Sequence, residues 1–266
     1  MPGRLAMARP RLSARPAPTG SPVGLATMAP AMAEAGNYYR WLAELIAPAV
    51  GRRVLDVGGG RGSLLAHFLD RERLFALDLG PDAVAYLERA FAAHPHLEAR
   101  CGDVTEPGLQ ALYRREGVDT ILCTNVLEHI DDDRAVLGAF AAILAPARGR
   151  LALQVPAHPW LYGSLDEAAG HYRRYTRREL RGKLETAGFV VESLRSVNAL
   201  AIPGWWWAGR VRRQGLADDA CNAQVRLYDR WLIPVARRLE AILAPPLGLS
   251  LLALGRAGTC APAPGY

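Results

Sequence analysis

The sequence contains almost no lysine and no clustered cysteine. Of its 32 basic residues all but Lys183 are arginine, and its four cysteines lie far apart without a CxxC pair. Isolated cysteines exclude a disulfide scaffold and a zinc ribbon, and they are typical of a reducing cytoplasm. An HExxH motif is also absent, as is a set of carboxylates at metal-ligand spacing, so we expect no metal site.

Long apolar runs are absent too. No stretch of about 18 uninterrupted apolar residues occurs, so the sequence predicts no transmembrane helix. Half of the 266 residues are hydrophobic and 22% are charged, which is enough apolar surface for one large folded domain. The net charge of +6 favours anionic partners in general without indicating nucleic acid.

The two ends of the chain differ in composition from its middle. Residues 1–33 have no acidic residue and are rich in proline and arginine, so we predict a disordered N-terminal extension. A translation start at Met28 or Met32 fits the same composition. Because we find neither an internal repeat nor a second core, we assign residues 34–258 to a single domain and residues 259–266 to a flexible tail.

Short apolar runs alternate with segments of helical spacing along most of the chain. Strands are predicted over residues 53–57, 74–78, 97–101, 120–124, 150–155, 189–197 and 249–256. Helices are predicted over residues 38–47, 63–70, 81–94, 108–116, 131–144, 176–187 and 223–243. This alternation predicts an α/β fold, with a Rossmann-like, seven-stranded, mostly parallel sheet, helices on both faces and a C-terminal antiparallel strand.

A glycine-rich turn follows the first predicted strand. Val54–Gly62 reads VLDVGGGRG and joins the end of that strand to the start of a helix. Glycines let a backbone turn sharply and approach a ligand closely, and the following helix presents free N–H groups. The turn therefore indicates a bound cofactor, although a tight turn without a ligand has the same pattern.

The spacing of these glycines distinguishes two cofactor classes. A dinucleotide fingerprint that starts at Gly58 needs a third glycine where the chain has Ser63. The carboxylate of Asp56 would repel a pyrophosphate but would attract an ammonium or sulfonium group. The loop favours a cationic cofactor. An NAD(P)-dependent oxidoreductase and a non-catalytic binding protein of the same fold are the alternatives.

The loop resembles the first motif of the class I S-adenosylmethionine (SAM)-dependent methyltransferases. The chain is similar in particular to their bacterial small-molecule type 11/12/23 group, with specific motifs over about residues 38–155. This resemblance implies that SAM is the cofactor and S-adenosylhomocysteine the product. It also implies that Asp56, Gly58 and Gly60 belong to the cofactor-binding loop.

Three further segments match the same family. Asp78 ends the second strand, where an acid can accept hydrogen bonds from both ribose hydroxyls. Asp103 and Val104, in CGDV after the third strand, match positions near the adenine. Asn125 follows the fourth strand in NVLEHIDDD, and the resemblance implies that its backbone contacts the methionine part of the cofactor.

The segment after the fifth strand carries the candidate catalytic residues. It resembles a run in bacterial methyltransferases in which an Asp is followed by Gly-His-x-Arg-Arg-Tyr. We prefer His171 as a general base, since imidazole titrates near neutrality, with Asp166 orienting it. His129, just past the fourth strand, is the alternative. A purely structural contact of His171 and transfer without a base are both left open.

Several residues of two loop segments are predicted to bind the acceptor. These are Tyr162, Arg173, Arg174, Tyr175 and Trp205. Arginine forks match phosphate and carboxylate groups, so we consider an anionic acceptor, although a solvated helix face has the same pattern. Because Trp205–Trp207 cannot all enter one core, we expect an aromatic pocket wall, with membrane contact as the alternative. Segments 156–182 and 198–222 are predicted to form an acceptor lid.

The sequence thus predicts a SAM-dependent methyltransferase with a small or glycosylated acceptor, natural-product and lipid-linked compounds included. Oxygen is the preferred methyl acceptor, ahead of nitrogen and carbon. The Asn/Asp-Pro-Pro-aromatic motif of enzymes that methylate base amines or glutamine amides is absent at residues 124–127, so we expect no nucleic-acid partner. We expect a cytoplasmic monomer or homodimer.

Overall fold

The computed structural model describes residues 30–258, which form a seven-stranded sheet between two layers of helices. The strands are β1 (Arg53–Val57), β2 (Arg73–Asp78), β3 (Leu97–Cys101), β4 (Thr120–Thr124), β5 (Arg150–Pro156), β6 (Phe189–Val197) and β7 (Ser250–Ala257). Their order is β3-β2-β1-β4-β5-β7-β6, and only β7 runs antiparallel to its neighbours. The predicted fold class is confirmed.

Nine α-helices occur among the described residues. They are α1 (Gly36–Ile46), α2 (Pro81–Ala90), α3 (Pro107–Arg115), α4 (Asp133–Leu144), α5 (Ser164–Ala169), α6 (Arg177–Thr186), α7 (Ile202–Trp206), α8 (Asp219–Leu227) and α9 (Ile233–Leu243). Two π-helical segments, Trp207–Val211 and Tyr228–Leu232, extend α7 and join α8 to α9. None of the helices in residues 30–258 combines the length and apolarity that crossing a membrane requires.

Alternate strand residues point to opposite faces of the sheet, and each face has its own core. Leu55 and Ile121 pack on one face with α3, α4 and α6. Val54 and Leu122 pack on the other face with α1, α2 and the 3₁₀ turn Leu65–Phe68. This burial on both faces explains why the central strands are continuous apolar runs.

The chain order reverses between β1 and β4, which are neighbours at the centre of the sheet. β1 is followed by strands placed toward one edge of the sheet, and β4 by strands placed toward the other. In open α/β sheets, ligands bind at the carboxyl ends of the strands on either side of such a reversal. The fold therefore places the glycine loop after β1 and Asn125 after β4 at the two sides of one crevice.

Three predicted elements are corrected by the structure. Residues 63–70 form turns and a 3₁₀ helix, Leu65–Phe68, because the backbone closes with an i→i+3 bond from His67 to Leu64. Pro30–Glu34 is a 3₁₀ helix, not disordered chain, because the Ala31 N–H donates to Asn222 Oδ1 at 2.8 Å. The helix predicted over residues 223–243 begins earlier, at Asp219, and consists of α8, the π-helical segment Tyr228–Leu232 and α9. The rest of the predicted extension (1–29) and the predicted tail (259–266) lie outside the described residues.

Candidate active site

A pocket of about 640 Å³ opens at the carboxyl ends of β1, β4 and β5. The glycine loop and the segment after β4 form its floor, and the α7–α9 region covers it. Its polar side chains are Tyr38, Tyr39, Thr124, Asn125, Glu128, His129, His171, Arg174, Asn198, Gln224, Tyr228, Asp229 and Ser250. The pocket therefore joins the predicted cofactor loop to both predicted catalytic histidines.

The glycine loop adopts the backbone that its sequence predicts. Gly58 and Gly60 have φ angles of 68° and 56°, in the left-handed region that favours glycine. A Cβ atom on Gly58 would lie 2.6 Å from Val126, and one on Gly59 would lie 2.0 Å from Asp56 Oδ2. The loop can pass between β1 and β4 only as bare backbone, and Gly58, Gly59 and Gly60 line the pocket without side chains.

Asp56 is a buried acid without a hydrogen-bond partner. Its side chain belongs to a residue only 1% exposed, and neither carboxylate oxygen contacts a donor among the described residues. Burial, followed by the charge of Asp78, raises the pKa of Asp56 to about 7. A buried, unpaired carboxylate is costly, and the role of Asp56 toward a cationic cofactor stays a prediction.

The other predicted cofactor acids lie at the ends of the next two strands. Asp78 is buried, and its carboxylate accepts the N–H groups of Gly60 at 3.2 Å and Gly80 at 2.8 Å. Asp103 accepts from the backbone and hydroxyl of Thr105, both at 2.8 Å. Like Asp56, neither acid is among the described residues that line the pocket. Asp78 braces the glycine loop, and its role toward the ribose stays a prediction.

Val104 and Asn125 occupy different environments. The Val104 side chain is buried in the core, so only the backbone of this residue is available to a ligand. Asn125 lines the pocket with a positive φ of 54°, and its N–H donates to the Gln154 carbonyl at 2.9 Å. Asparagine tolerates this left-handed conformation better than most residues. The positive φ at Asn125 turns the chain as it leaves β4.

The predicted pair of His171 and Asp166 is present as one hydrogen-bonded unit. His171 Nδ1 lies 2.8 Å from Asp166 Oδ1, and Arg174 Nε donates to the same oxygen at 2.8 Å. The other oxygen, Oδ2, accepts the Gly163 N–H at 3.0 Å. Burial raises the pKa of Asp166, but the hydrogen bond from His171 and the charge of Arg174 outweigh it and hold that pKa below its usual value.

The short helix α5 creates this arrangement. Asp166 lies in its first turn, and Gly170 ends it in the left-handed conformation, with φ of 75°. The chain then folds back, so that the His171 N–H donates to the Asp166 carbonyl at 2.9 Å. The imidazole of His171, with 10% of its side chain exposed, thereby reaches the pocket.

Glu128 was not predicted as a site residue, although it lies in the LEHI segment. It is 1% exposed, its carboxylate has no hydrogen-bond partner, and Oε1 is 3.9 Å from His171 Nε2. Burial raises its pKa to about 7, while the charge of His171 acts in the opposite direction. The signal that could have identified it is its position, directly before His129 at the end of β4.

His129 packs against His171, with ring centroids 4.7 Å apart. Burial and the charge of His171 lower the pKa of His129 to about 3, so that its ring is neutral near pH 7. Its Nδ1 atom is buried without a hydrogen-bond partner. Glu128, His129 and His171 each offer a ligand atom, all within 4.8 Å of one another, which is a set that a divalent cation could use. The absence of a metal stays a prediction.

Three of the residues predicted to bind the acceptor are not among the described residues that line the pocket. Tyr175 is fully buried, and its hydroxyl is shared between Asp133 Oδ2 at 2.9 Å and the Leu127 carbonyl at 3.2 Å. Arg173 pairs with Asp131 and Asp133 outside the pocket. The Tyr162 hydroxyl donates to the His171 carbonyl at 2.7 Å. The polar groups of all three side chains are bonded to other protein groups. We therefore assign these residues a structural role beside the pocket.

Arg174 and Trp205 do line the pocket. Arg174 is 3% exposed, with Nε on Asp166 and Nη1 on the Ala157 carbonyl, so its principal contacts are structural and an anion-binding role stays a prediction. Its guanidinium lies 5.0 Å from the centre of the half-buried Trp205 ring.

The two predicted lid segments contact each other. Ser164 Oγ donates to the carbonyls of Gly209 and Gln214, and Arg210 donates to the Tyr162 carbonyl. The pocket wall extends beyond the predicted lid, since Leu227 and Ile233 also line it. The function of these segments as a lid stays a prediction.

The chain matches a family model described as a methyltransferase domain over residues 27–194, more than half of its length. A ubiquinone biosynthesis O-methyltransferase of Xanthomonas euvesicatoria pv. vesicatoria is 30% identical over 170 residues, which cover 54% of this chain and 65% of the relative. The enzyme with the same name from Ralstonia nicotianae is 28% identical over 175 residues, which cover 59% of this chain and 71% of that one.

Solved structures show the same fold at low identity. The [4+2]-cyclase SpnF has a TM-score of 0.55 and 16% identity, with 85% of this chain and 81% of SpnF covered. The trans-methyltransferase CalH, solved with S-adenosylhomocysteine, has a TM-score of 0.52 and 16% identity, with 85% and 59% covered. The family match over residues 27–194 identifies the chain as a member of the SAM-dependent methyltransferases, and the structural likenesses show that it has their class I fold.

Proposed function

We propose that this protein transfers a methyl group from SAM to a hydroxyl oxygen of a small, largely apolar acceptor, with His171 as general base. The observation that carries the proposal is the hydrogen bond between Asp166 and His171 at the wall of a pocket whose floor is the glycine loop. Cofactor and base groups thus face one enclosed volume, as methyl transfer requires.

The cofactor side of the pocket suits SAM. The backbone at Gly58 and Gly60, which carries no side chain, accommodates a ligand that approaches closely, and the unpaired carboxylate of Asp56 beside the loop complements its positive charge. When bound, SAM supplies an electrophilic methyl group on its sulfonium. The residues of the pocket then hold the acceptor oxygen in line with that methyl group, which is the larger part of catalysis for such a displacement.

The proton of the acceptor hydroxyl goes to His171 Nε2. Asp166 is held ionised by Arg174 and accepts a hydrogen bond from Nδ1–H, so the neutral imidazole carries its lone pair on Nε2. A carboxylate that fixes the tautomer of a catalytic histidine has the same role in serine hydrolases. The acceptor oxygen would use a lone pair to form the bond to the methyl carbon, and the electron pair of the broken S–C bond would stay with the leaving thioether.

Two observations support oxygen over nitrogen or carbon as the acceptor atom. The relatives named above are O-methyltransferases. A hydroxyl also needs a base more than an amine does, and this pocket provides one. The apolar part of the pocket wall, which includes Leu165, Leu200 and Trp205, favours an acceptor with substantial hydrocarbon or aromatic surface.

The test is a transfer assay with methyl-labelled SAM and a panel of catechols, phenols and glycosides, each paired with its amine analogue. We expect labelled methyl ether from at least one hydroxylated acceptor. His171→Gln should lower kcat by about 100-fold or more, since general-base catalysis contributes about 10²–10⁴. The control is His67→Gln, at an exposed histidine outside the pocket. Label on the amine analogues alone would overturn the proposal.

A further inference from the structure

The exposed apolar side chains are concentrated in one part of the molecule. Among residues 30–258, all but three of the large hydrophobic side chains exposed to solvent lie between Leu200 and Leu247; the exceptions are Leu79, Trp160 and Val190. The matched family domain ends at residue 194. This apolar surface is therefore formed by the part of the chain that lies outside the matched domain.

Five of these side chains form a row along α8, the π-helical segment Tyr228–Leu232 and α9. Leu227, Trp231, Val235, Leu239 and Leu243 are exposed and follow one another at intervals of four residues. Residues four apart on a helix are neighbours on its surface, so the five side chains form a continuous, solvent-exposed apolar stripe. The exposed fraction of Trp231 is 60% and that of Leu243 is 68%.

The opposite side of α9 is also apolar, but it is covered by α1. Ile233 and Ala236 are buried against Tyr38 and Trp41 of α1. The helix therefore has one apolar face that the protein uses and a second that it leaves to solvent. A large apolar patch of this kind marks an interaction site.

A second apolar group lies on α7 and the π-helical segment that extends it. Trp206, Trp207 and Val211 are exposed, whereas Ala208 of the same segment packs against Cys221 of α8. The indole ring has an apolar body and a polar N–H, and tryptophan is enriched where a bilayer meets water.

The charges on this region are mainly positive. It contains Arg210, Arg212, Arg213, Arg226, Arg230, Arg237 and Arg238. Its four acids are Asp218, Asp219, Asp229 and Glu240; Glu240 is buried, and Asp229 accepts the N–H groups of Asn37 and Tyr38. Arg226 and Arg237 pair with Glu34 and Glu44, while Arg212, Arg213, Arg230 and Arg238 form no ion pair with the described residues.

We propose that the surface formed by α7, α8, α9 and the π-helical segments between residues 207 and 232 docks on an anionic phospholipid bilayer. Apolar rows with tryptophan and flanking arginine are the features by which helices lie in a membrane interface. A second copy of the chain fits less well, because a two-fold contact through this surface would place its arginines against one another.

The docking surface adjoins the pocket. Leu227 and Leu232 are exposed on the surface and also line the pocket, as does Trp205. A bilayer in contact with this surface would cover the opening beside these residues, and an acceptor with a hydrocarbon tail could enter from the lipid. The docking itself does not depend on the proposed methyl transfer, so binding to vesicles tests it separately.

The experiment is flotation of the full chain with vesicles of phosphatidylcholine alone and of phosphatidylcholine with about one third phosphatidylglycerol. We expect binding to the anionic vesicles that weakens with salt, with a blue shift of tryptophan fluorescence. Trp207→Gln/Trp231→Gln/Val235→Gln should lower that binding at least tenfold. Trp160→Gln/Val190→Gln, at exposed apolar residues elsewhere, should leave it unchanged. All proteins share residues 1–29, so any contribution of that segment cancels.

Circular dichroism and SAM binding check that both variants are folded. Two results would overturn the proposal. One is equal binding of wild type and triple variant to anionic vesicles. The other is absence of vesicle binding together with a concentration-dependent dimer that the triple variant loses, which would assign the surface to contact between copies.

Discussion

Asp166 Oδ1 lies 2.8 Å from His171 Nδ1, in a site where the same carboxylate also accepts a hydrogen bond from Arg174. A buried carboxylate with a charged partner and a histidine at the pocket wall is a base-orienting arrangement. The proposed function depends on this relationship, because it leaves the Nε2 lone pair available for the acceptor proton.

Asp166→Asn is expected to lower kcat by about 10²–10⁴, since an amide can donate to Nδ1 and stabilise the wrong tautomer. SAM affinity should change less than threefold, because Asp166 does not touch the glycine loop. Single-turnover kinetics and calorimetry measure the two quantities separately. A variant that keeps full kcat would show that His171 needs no orienting carboxylate.

Asp56→Asn is expected to weaken SAM binding by about 10- to 100-fold. The substitution removes a buried charge that we assign to a cationic ligand, and a charged hydrogen bond contributes about 1.5–3 kcal/mol. Titration calorimetry with SAM measures the change, and Asp70→Asn, at an exposed acid, is the matched control. Unchanged affinity in Asp56→Asn would refute the assignment of Asp56 to the cofactor.

The contribution of Asp56 to the stability of the ligand-free protein should fall as the pH rises from about 4 to about 7. Burial and the charge of Asp78 raise the pKa of Asp56 from 3.8 to about 7. A raised carboxyl pKa favours the folded state at low pH, and this contribution disappears as the pH passes through the folded-state pKa. Asp56→Asn should make the slope of unfolding free energy against pH shallower by up to about 1.4 kcal/mol per unit. Urea unfolding at several pH values tests this, and an identical slope in the variant would contradict it.

Gly59→Ala should destabilise the fold by about 1–3 kcal/mol and abolish SAM binding, because the new Cβ would lie 2.0 Å from Asp56 Oδ2. Gly138→Ala is the control, since nothing lies within 4 Å of its Cβ position on α4. That change should stabilise the protein by up to about 1 kcal/mol. Equal thermal stability and SAM affinity in the two variants would mean that the loop moves freely away from Asp56.

Tyr175→Phe should cost about 1–2 kcal/mol of stability and leave the KM for the acceptor unchanged. The hydroxyl is buried on Asp133 and the Leu127 carbonyl, so its loss leaves buried acceptors without that donor. Chemical denaturation and steady-state kinetics check the two parts. A raised KM without loss of stability would restore Tyr175 to the acceptor site.

The fold was largely predictable because its central strands are buried on both faces of the sheet. Short, continuous apolar runs such as residues 120–124 are typical of central strands, and the glycines mark where the chain turns. The 3₁₀ turn Leu65–Phe68 was not predictable, since Leu64, Leu65 and Phe68 suit a helix equally well. Likewise, sequence pattern does not show that Ala31 is held by Asn222, because the two residues are far apart in the chain.

The site was predictable in part. The pair of Asp166 and His171 lies five residues apart on one local turn, so short-range pattern suffices to place them together. Tyr175 comes only four residues after His171, yet its side chain is buried in the core. The backbone at Tyr175 forms a β-bridge with Ala157, and in such an extended segment successive side chains point to opposite sides. Glu128 escaped prediction because its environment depends on residues distant in the chain: the Tyr172 N–H donates to its carbonyl, and His171 Nε2 lies 3.9 Å from its carboxylate.

The most direct test of the account uses SAM with a CD₃ methyl group, the wild-type protein and His171→Gln, with mass spectrometry and NMR of the acceptor products. The account predicts that wild type replaces one hydroxyl hydrogen of an acceptor with CD₃ on oxygen, and that the variant does so at least about 100 times more slowly. CD₃ on nitrogen or carbon, or equal rates for the two proteins, would contradict it.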